Sequence, residues 1–450
     1  MLRTWAGLLR NIVLPLGDRV LGHGMMERLR FLEDAQWWDR ERLHAFRQQA
    51  LQSLVTTAYA EVPFYRHLMR ARGVTPSEIG GLDDLRRLPI VTKAMLRSSY
   101  PHETTRHTGQ RTYEAWSSGS TGKNFCVRED AETAGWYRAS FMLSLQWAGW
   151  RVGEKHLQTG MTLKRSPDRW LKDKLLRCHY VSAYDLTDAH LEQVLNLIED
   201  QSIQHLWGYP GSLYFLARRA IESGWNQPLH SLVTWGDNLY PHYRETIEQA
   251  FRTRVYDTYG CGEGIQVSAQ CGSGETYHEH SLDVIVEYLD DNDQPVPAGT
   301  PGHVILTRLH PGPMPLIRYR VGDVAISGGE RNCPCGRAFA VMESIEGRDT
   351  DVILTPSGNR LIVHFFTGIL EFFSEIDAFQ VIQHEADSMV VRIVPTKSVG
   401  TEVRESIIST LKERGASDMT IMLDFVDEIP VPPSGKRRFV IREWQPSAVT

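Results

Sequence analysis

The sequence of 450 residues predicts an α/β protein with a large N-terminal domain and a small α+β C-terminal domain. Three observations favour this fold class. The chain is too long for one ordinary hydrophobic core, helical and strand-like segments alternate through its middle, and its C-terminal part mixes short strands with a helix. We expect residues 1–349 to pack helices on mixed and parallel sheets after a helical lead-in over 1–100, and residues 350–450 to form the small domain.

The bulk composition excludes several classes of protein. Apolar residues make up 42% of the chain and charged residues 23%, which are ordinary values for a globular protein. The net charge of −6 gives no basis for binding nucleic acid, and no apolar run is long enough to cross a bilayer. Six cysteines in a chain of this length do not suggest a disulfide scaffold, so we expect a cytoplasmic protein.

Residues 1–22 allow two interpretations. Basic residues recur among apolar ones at roughly helical spacing, which fits a helix at a membrane surface or an amphipathic helix docked on the protein. Pro15 and Asp18 interrupt the apolar stretch, and no small-residue cleavage site is present, which argues against a signal peptide. We expect the docked helix, with peripheral membrane contact as the alternative.

The periodicity of apolar residues predicts the elements in chain order. Between residues 25 and 100 they recur at three and four positions, which predicts helices, with Pro63 ending the first helical run. From 110 to about 260, helical stretches alternate with short apolar runs, which is typical of parallel strands joined by crossover helices. Residues 276–327 have the pattern of alternating strands separated by a turn-rich segment.

One segment is rich in hydroxyl side chains and glycine and ends in lysine. Its members are Ser117, Ser118, Gly119, Ser120, Thr121, Gly122 and Lys123. The glycines let the backbone turn so that several N–H groups meet at one anion, and the hydroxyls add donors, which suits nucleotide phosphates. The spacing is not that of the common P-loop, and such a turn by itself fits a surface loop equally well.

Four further motifs follow along the chain. Residues 259–263 come after a predicted strand, so Glu263 stands where α/β sheets bind ligands, and its carboxylate can hold Mg²⁺. Asp323 can accept two hydrogen bonds from ribose hydroxyls, Arg348 lies among acids near a junction between regions, and Lys436 stands on a glycine turn. Each could be ordinary surface chemistry, but together and in this order they indicate nucleotide chemistry.

With these motifs the sequence resembles the adenylate-forming superfamily of acyl-CoA ligases, nonribosomal adenylation domains and luciferases. It is most similar to the phenylacetate–CoA ligase branch, including its capsule-polysaccharide biosynthesis relatives, which the segment around Pro63 also resembles. The motifs run from Ser117 to Lys436, so the resemblance covers most of the chain. It implies the adenylate-forming fold with a mobile C-terminal domain. It also implies ATP-dependent activation of a carboxylic acid as an acyl-adenylate, followed by transfer to a thiol, with coenzyme A as the expected acceptor.

The resemblance also implies roles for single residues. Ser117–Lys123 would hold phosphates, Glu263 would bind Mg²⁺, and Lys436 would reach the carboxylate and the α-phosphate during adenylation. The other residues implied at the nucleotide are Gly236, Asp237, Tyr259, Gly260, Asp323 and Arg348. Tyr209 and Trp235 lie beside predicted strand ends and are our candidates for the acyl pocket.

Two positions depart from the family pattern. Many relatives have serine or threonine before the magnesium glutamate, where this chain has Gly262, which removes one phosphate donor. The hinge position, usually aspartate or lysine, falls on Thr350, with Asp351 beside it. The core chemistry remains, because attack by an ionised carboxylate needs positioning and charge neutralisation rather than a general base.

A second set of residues predicts a metal site. The set consists of Cys271, His278, Cys333 and Cys335. Three thiolates and one imidazole form a closed tetrahedral zinc site, which would be structural because it leaves no open position. Similar residues occur in phenylacetate–CoA ligase relatives, some of which bind zinc. The alternatives are free thiols beside a solvated histidine, and His280 as the fourth ligand.

Three functions remain open. The leading one is an acid–thiol ligase that uses ATP, Mg²⁺, a small carboxylic acid and coenzyme A. The second keeps the adenylation but transfers the acyl group to an amine or hydroxyl of a sugar, an amino acid or a surface-polysaccharide precursor. The third is a nucleotide-binding subunit without turnover. The presence of both Glu263 and Lys436 argues against it, because binding alone needs no lysine on a mobile domain.

Overall fold

A computed structural model describes the protein over most of its length. The described residues are 5–22, 24–117, 125–160, 166–183, 185–348, 352–358, 360–370, 372–430 and 438–444. The chain divides into two units. The larger unit comprises Met1–Val321 and Ile326–Ser344, and the smaller unit comprises Gly322–Ala325 and Ile345–Thr450.

The helices and strands follow one another in this order. The helices are α1 (Trp5–Leu8), α2 (Leu14–Leu21), α3 (Met25–Ala35), α4 (Arg40–Glu61), α5 (Pro63–Ala71), α6 (Lys93–Ser99), α7 (Ala131–Trp147), α8 (Pro167–Leu176), α9 (Asp188–Asp200), α10 (Pro210–Ser223), α11 (Pro241–Phe251), α12 (Val363–Leu370) and α13 (Thr401–Leu411). The strands up to residue 289 are β1 (Thr112–Ser117), β2 (Phe125–Asp130), β3 (His156–Gly160), β4 (Cys178–Ser182), β5 (His205–Gly208), β6 (Ser231–Thr234), β7 (Val255–Cys261), β8 (Ile265–Gln270), β9 (Tyr277–Glu279) and β10 (Val284–Leu289). The later strands are β11 (Pro301–Arg308), β12 (Tyr319–Gly329), β13 (Val341–Arg348), β14 (Val352–Leu354), β15 (Arg360–Ile362), β16 (Ile376–Glu385), β17 (Ser388–Pro395), β18 (Thr420–Phe425) and β19 (Val440–Arg442).

The segment before residue 100 is helical, as the apolar periodicity predicts. Asp39 caps α4 by accepting a hydrogen bond from the Arg42 N–H at 2.8 Å. The helix ends at Glu61, and Pro63 occupies the first turn of α5, where its missing N–H costs nothing. Pro63 therefore begins the next helix as well as following the end of the first. None of the described helices is both long enough and apolar enough to cross a membrane.

The centre of the larger unit is a parallel sheet. Strands β3, β4, β5, β6 and β7 pair in parallel in the spatial order β4-β3-β5-β6-β7. Helices α8 to α11 lie between these strands in the sequence and make the crossover connections. Strands β5 and β6 are buried along their whole length, as expected for parallel strands covered on both faces. The alternation seen in the sequence is confirmed here.

The sheet changes from parallel to antiparallel at β7. Strand β8 returns antiparallel beside β7 after a tight turn at residues 262–264. Gly264 has a φ of +74° in this turn, a left-handed conformation that favours glycine. The sheet then continues through β9, β13, β12, β11 and β10.

A separate hairpin precedes the main sheet and was not predicted from the sequence. Strands β1 and β2 pair antiparallel in continuous register, from Thr112 opposite Asp130 to Ser117 opposite Phe125. The hydroxyl-rich segment therefore connects the two strands of a hairpin. Residues 118–124 themselves lie outside the described part of the chain.

The smaller unit has a four-stranded sheet of order β18-β17-β16-β19 and the short hairpin β14–β15. Strand β16 is antiparallel to β17 and parallel to β19, and β17 is parallel to β18. The buried Gln383 amide ties the hairpin to this sheet, because it donates to the Leu354 carbonyl at 2.7 Å and accepts from the Leu354 N–H at 3.0 Å. With α12 and α13, this is the mixed α+β arrangement that the sequence predicts.

Candidate active site and cysteine–histidine cluster

The carboxyl ends of β5 and β6 bring both candidate acyl-pocket residues to one edge of the sheet. Tyr209 follows β5, Trp235 follows β6, and the Trp235 N–H donates to the Gly208 carbonyl at 3.2 Å. A Cβ at Gly236, whose φ is +77°, would lie only 2.9 Å from Cε1 of Tyr209. Glycine therefore lets the tyrosine ring pack against the backbone at the edge where α/β sheets bind ligands.

The turn after β6 also carries Asp237. Its side chain is exposed, and Oδ1 accepts a hydrogen bond from the Asn238 N–H at 2.9 Å. The neighbouring Trp235 is half-buried and packs edge-to-face on Phe141, with ring centroids 5.5 Å apart. Phe141, on α7, was not singled out in the sequence, and it fixes the orientation of the tryptophan ring.

Glu263 is a buried carboxylate that follows β7. Only 2% of its surface is exposed. Its Oε1 accepts a hydrogen bond from the Tyr319 hydroxyl at 2.7 Å and lies 3.4 Å from Nζ of Lys93. Burying a carboxylate without partners would cost several kcal/mol, and these two contacts offset part of that cost. A carboxylate that faces a cation in a dry environment is also suited to face a metal ion.

Lys93 and Tyr319 are functional candidates that the sequence interpretation missed. Lys93 is the first residue of α6, whose N-cap is Thr92. The preceding residue, Val91, forms an isolated parallel bridge with Tyr319 at the start of β12. This bridge aligns both side chains on Glu263. Three segments that are distant in the sequence form the contact, and the only local signal is the threonine–lysine start of α6.

The turn that carries Glu263 packs closely against the side chain of Glu129 on β2. A Cβ at Gly264 would overlap the Glu129 carboxylate. Burial raises the pKa of Glu129, and the positive charge of Arg308 opposes that rise. Tyr259, the residue expected near the adenine, is itself buried on β7, and Gly260 after it is exposed. Close packing therefore restricts how the backbone of this turn can move.

The remaining expected nucleotide residues are placed only in part. Ser117 ends β1 and pairs with Phe125, so the β1–β2 hairpin closes both ends of the expected phosphate loop. Asp323 is half-buried in β12, and Arg348 is the last residue of β13. Several expected residues lie outside the described ranges, namely Ser118, Gly119, Ser120, Thr121, Gly122, Lys123, Thr350, Asp351 and Lys436. Their roles stay predictions.

The four cysteine and histidine side chains expected to bind metal meet in the larger unit. The ligand atoms of Cys271, His278, Cys333 and Cys335 all lie within 4.8 Å of one another. Sγ of Cys271 lies 3.7 Å from Sγ of Cys333, and Nε2 of His278 lies 3.2 Å from Sγ of Cys335. A tetrahedral zinc ion would set such atoms about 3.6–3.8 Å apart. The donor set and its spacing therefore fit one zinc ion.

The alternative ligand His280 is engaged elsewhere. Its Nε2 lies 2.8 Å from the Ser144 hydroxyl, and its ring stacks on Trp147 at 5.0 Å. His278 is the histidine that faces the thiols. Burial, assisted by the charge of Arg337, lowers the pKa of His278 to about 4, so its imidazole is neutral at pH 7. A neutral imidazole is the form that coordinates metal.

The two thiols of the C-x-C turn differ in acidity. Burial raises the pKa of Cys333 to about 11. For Cys335, burial acts in the same direction, but hydrogen bonds from the Arg337 backbone and from Cys333 outweigh it and lower its pKa. The turn is thus arranged to favour a thiolate at one of its two positions.

Arg337 clamps this turn to the N-terminal helices. Its guanidinium lies 4.8 Å from the ring centroids of both Trp37 and Trp147. Its Nε donates to Oε1 of Gln36 at 2.9 Å. Two cation–π contacts and one hydrogen bond therefore hold the Arg337 guanidinium in place. They also restrain the loop that carries Cys333 and Cys335.

Comparisons with known proteins agree with this description. A family model described as the CapK C-terminal domain matches residues 353–443. Over 333 residues, the chain is 28% identical to a phenylacetate-coenzyme A ligase of Thermus thermophilus, covering 70% of this chain and 72% of that protein. It is also 21% identical to protein CapK of Staphylococcus aureus over 84% of each chain. The chain is thus similar over most of its length to phenylacetate-coenzyme A ligases and to protein CapK, in line with the resemblance seen in its motifs.

The adenylate-forming fold is found again among solved structures. A crystal structure of 2-hydroxyisobutyryl-CoA ligase, in the postadenylation state and in complex with R3-HIB-AMP, superposes with a TM-score of 0.73. The match covers 91% of this chain and 92% of that one at 20% identity. This likeness confirms the fold class that the sequence predicts.

Proposed function

We propose that this adenylate-forming protein activates a small carboxylic acid with ATP and transfers the acyl group to the thiol of coenzyme A. In the first step a carboxylate oxygen attacks the α-phosphorus of ATP, and pyrophosphate leaves. In the second step the thiol sulfur attacks the acyl carbonyl carbon, AMP leaves, and the thiol proton passes to solvent. The main support is the buried carboxylate of Glu263, held by Lys93 and Tyr319 at the end of β7.

Glu263 would hold the Mg²⁺ ion that accompanies ATP. When bound, that ion supplies positive charge to the phosphate oxygens and lowers the cost of the charge that develops on pyrophosphate. Lys93 adds a second positive charge 3.4 Å from the carboxylate, and Tyr319 fixes the carboxylate's orientation. Neither side chain needs to take up or release a proton for this role.

The nucleotide would be held by residues that match the family motifs. Ser117–Lys123 would donate hydrogen bonds to the β- and γ-phosphates, and the β1–β2 hairpin supports this role because it closes the ends of that loop. Asp323 would accept hydrogen bonds from the ribose hydroxyls, with Arg348 assisting on the same sugar. The adenine would be contacted by residues at two strand ends, namely Gly236, Asp237, Tyr259 and Gly260.

Lys436 would neutralise the acid and the α-phosphate during adenylation. We place it on a mobile domain of residues 350–450, with Thr350 and Asp351 at the hinge and residues 1–349 forming the domain that binds the nucleotide and the acid. Movement of the lysine away from the adenylate would then admit the thiol. The acyl group would lie beside Tyr209 and Trp235, which meet at the carboxyl edge of β5 and β6.

One observation keeps a second acceptor in consideration. The CapK C-terminal domain model matches most of the segment that would carry Lys436. The acceptor in that case would be an amine or hydroxyl on a sugar, an amino acid or a surface-polysaccharide precursor. Adenylation would be unchanged, because the same residues act in the first step. Product analysis therefore separates the two acceptors.

Zinc would bind to Cys271, His278, Cys333 and Cys335 and would be structural. Four protein ligands complete a tetrahedral site and leave no position for a substrate. The ion would fix the loops after β8 and before β13, and Arg337 already ties the second of these to the N-terminal helices. Metal analysis of the purified protein should find about one zinc per chain, as expected for a closed four-ligand site.

Acid-dependent ATP–pyrophosphate exchange tests the proposal. A panel of aryl, fatty, hydroxy and amino acids should contain members that raise the exchange rate well above the rate without acid. Adding coenzyme A should then yield an acyl thioester, identified by mass spectrometry. Exchange without any thioester, but with acyl transfer to an amine or hydroxyl, would favour the second acceptor. Absence of exchange with every acid would contradict the proposed reaction.

A further inference from the structure

Two helical segments of the larger unit expose a concentration of large apolar side chains. The first runs from α1 through the π-helical turn Leu9–Val13 to α2, and the second is α8. The exposed fractions are 40% for Trp5, 39% for Ile12, 55% for Leu16, 86% for Val20, 53% for Trp170 and 54% for Leu171. The other large apolar side chains exposed in the described chain are scattered singly over both units. A concentration of this kind marks an interaction surface.

The two segments are in direct contact. The indole Nε1 of Trp5 donates a hydrogen bond to the carbonyl of Leu175 on α8 at 3.2 Å. Leu171 is about one helical turn before Leu175, so this exposed side chain of α8 lies close to the contact with Trp5. We refer to the exposed apolar and basic residues of α1, the turn Leu9–Val13, α2 and α8 together as the apolar–basic face.

The N-terminal segment is firmly docked on its other side. Leu9 is completely buried, and Ala6 packs so closely on Gly153 that a Cβ there would lie 2.6 Å from the Ala6 Cα. Asp18 is buried and accepts hydrogen bonds from the Met25 and Met26 N–H groups at 2.9 and 2.8 Å. One side of the N-terminal segment is therefore docked on the protein, as the sequence predicts. On its other side, Ile12, Leu16 and Val20 form an exposed stripe at four-residue spacing.

Among the side chains of the apolar–basic face that the structure describes, the exposed charges are positive. Arg19 on α2 is exposed, as are Arg169, Lys172 and Lys174 on α8. The acidic residues whose exposure is described on these segments, Asp18 and Asp173, are both buried. This arrangement is unusual for a chain with a net charge of −6. Nζ of Lys174 also lies 4.2 Å from the Trp170 ring centroid, which places a cation beside an exposed aromatic ring.

We propose that the apolar–basic face binds the surface of an anionic phospholipid membrane. The apolar stripe and the two tryptophans would enter the headgroup region, and the basic side chains would lie at the level of the lipid phosphates. A second copy of the chain fits the face less well. A two-fold dimer through this face would bring the basic residues of one copy, among them Arg19, Lys172 and Lys174, against the same basic surface of the other copy. The acids of these segments whose exposure is described, Asp18 and Asp173, are buried and would not face that surface.

Flotation of the full-length protein with phospholipid vesicles tests the proposal. The protein should float with vesicles of mixed phosphatidylcholine and phosphatidylglycerol and remain behind with phosphatidylcholine alone. Raising the salt concentration should weaken binding, because each basic residue near an anionic surface contributes about fivefold to the partition constant. The triple substitution Leu16→Ser, Val20→Ser, Trp170→Ser should lower that constant by about tenfold or more, because burial of apolar side chains in the membrane supplies the part of the binding free energy that charge does not.

Matched variants keep the result interpretable. Arg19→Ser, Lys172→Ser and Lys174→Ser together should abolish the preference for anionic vesicles. Ile221→Ser on α10 removes an exposed apolar residue outside the face and should float like the unsubstituted protein. Circular dichroism and light scattering are the controls that compare the fold and the oligomeric state of each variant with those of the unsubstituted protein. Three results would overturn the proposal: no binding of the original protein to anionic vesicles, unchanged binding of the apolar variant, or a dimer that the same substitutions dissociate.

Discussion

The two ends of strand β8 carry two different polar clusters. Just before the strand, Glu263 faces Lys93 and Tyr319, and just after it Cys271 joins His278 and the C-x-C turn. The first cluster pairs opposite charges that can rearrange around a phosphate, whereas the second offers four ligand atoms that leave no open position on a zinc ion. At about 3.3 Å per residue, the strand separates them by roughly 20 Å, too far for both to touch the same reacting atoms.

Because of this separation, substitutions in one cluster can be tested independently of the other. Glu263 depends on contacts with α6 and β12, which are distant in the sequence. It lies at the carboxyl end of β7, the edge at which open α/β sheets generally bind ligands. The cysteine cluster joins adjacent strands and is clamped by Arg337 to the N-terminal helices. We therefore expect substitutions at the first end to reduce turnover with little change in stability, and substitutions at the second end to do the reverse.

The largest expected effect is that of Lys436→Ala on adenylation. Removing the ammonium group proposed to contact the acid and the α-phosphate should slow ATP–pyrophosphate exchange by about 10³-fold, as for loss of a major transition-state contact. ATP binding measured by calorimetry should change little. The exposed Lys412 provides a control, since Lys412→Ala should leave exchange unchanged. Normal exchange by Lys436→Ala would remove this residue from the reaction.

Glu263→Gln should lower kcat/KM for ATP by about 10²-fold, because the amide keeps the shape but loses the charge that holds the metal. The loss should diminish as magnesium is raised. Glu245→Gln, on the exposed side of α11, is the matched control. If Glu263→Gln matched the original enzyme at every magnesium concentration, the carboxylate would not be the metal ligand.

Lys93→Ala should have a smaller effect on exchange, about tenfold, because it removes an ammonium beside the carboxylate and leaves Tyr319 in place. Lys93→Arg keeps the charge and should recover part of the rate. A full loss of structure in Lys93→Ala, seen by circular dichroism, would show that the ion pair serves folding instead. Equal rates for both variants would indicate that charge at this position is unimportant.

Cys335→Ser should have the smallest effect on turnover, within about twofold for the folded fraction, since the cluster is distant from the nucleotide. Its effect should appear in stability: Tm should fall by several degrees, because a bound metal stabilises the fold that binds it. A chelator should destabilise the original protein in the same direction. Cys178→Ser, outside the cluster, should retain the metal, and loss of zinc from that control would contradict the assigned ligand set.

Local patterns predicted much of the fold. The alternation between residues 205 and 261 predicted β5, α10, β6, α11 and β7, because buried parallel strands and amphipathic helices have different apolar periods. The C-x-C turn predicted that Cys333 and Cys335 act together, because they are close in the chain. The hairpin β1–β2 was missed, although its strands flank the best local motif.

Contacts between distant segments could not be predicted in the same way. The pairing of Glu263 with Lys93 depends on the bridge between Val91 and Tyr319, and no local period records that register. The packing of Trp235 on Phe141 similarly requires α7 to cross the sheet near the end of β6. Choosing between His278 and His280 also needed the fold, because both are buried and lie two residues apart.

Glu263→Gln and Cys335→Ser compared side by side give the most direct measurement, with exchange rate and Tm recorded for both. We expect Glu263→Gln to lose about 10²-fold in acid-dependent exchange at nearly unchanged Tm. Cys335→Ser should keep its exchange rate when folded and lose thermal stability. If Cys335→Ser lost exchange while remaining folded, or Glu263→Gln kept it, the assignment of catalysis to Glu263 and of stability to the cysteine–histidine cluster would be contradicted.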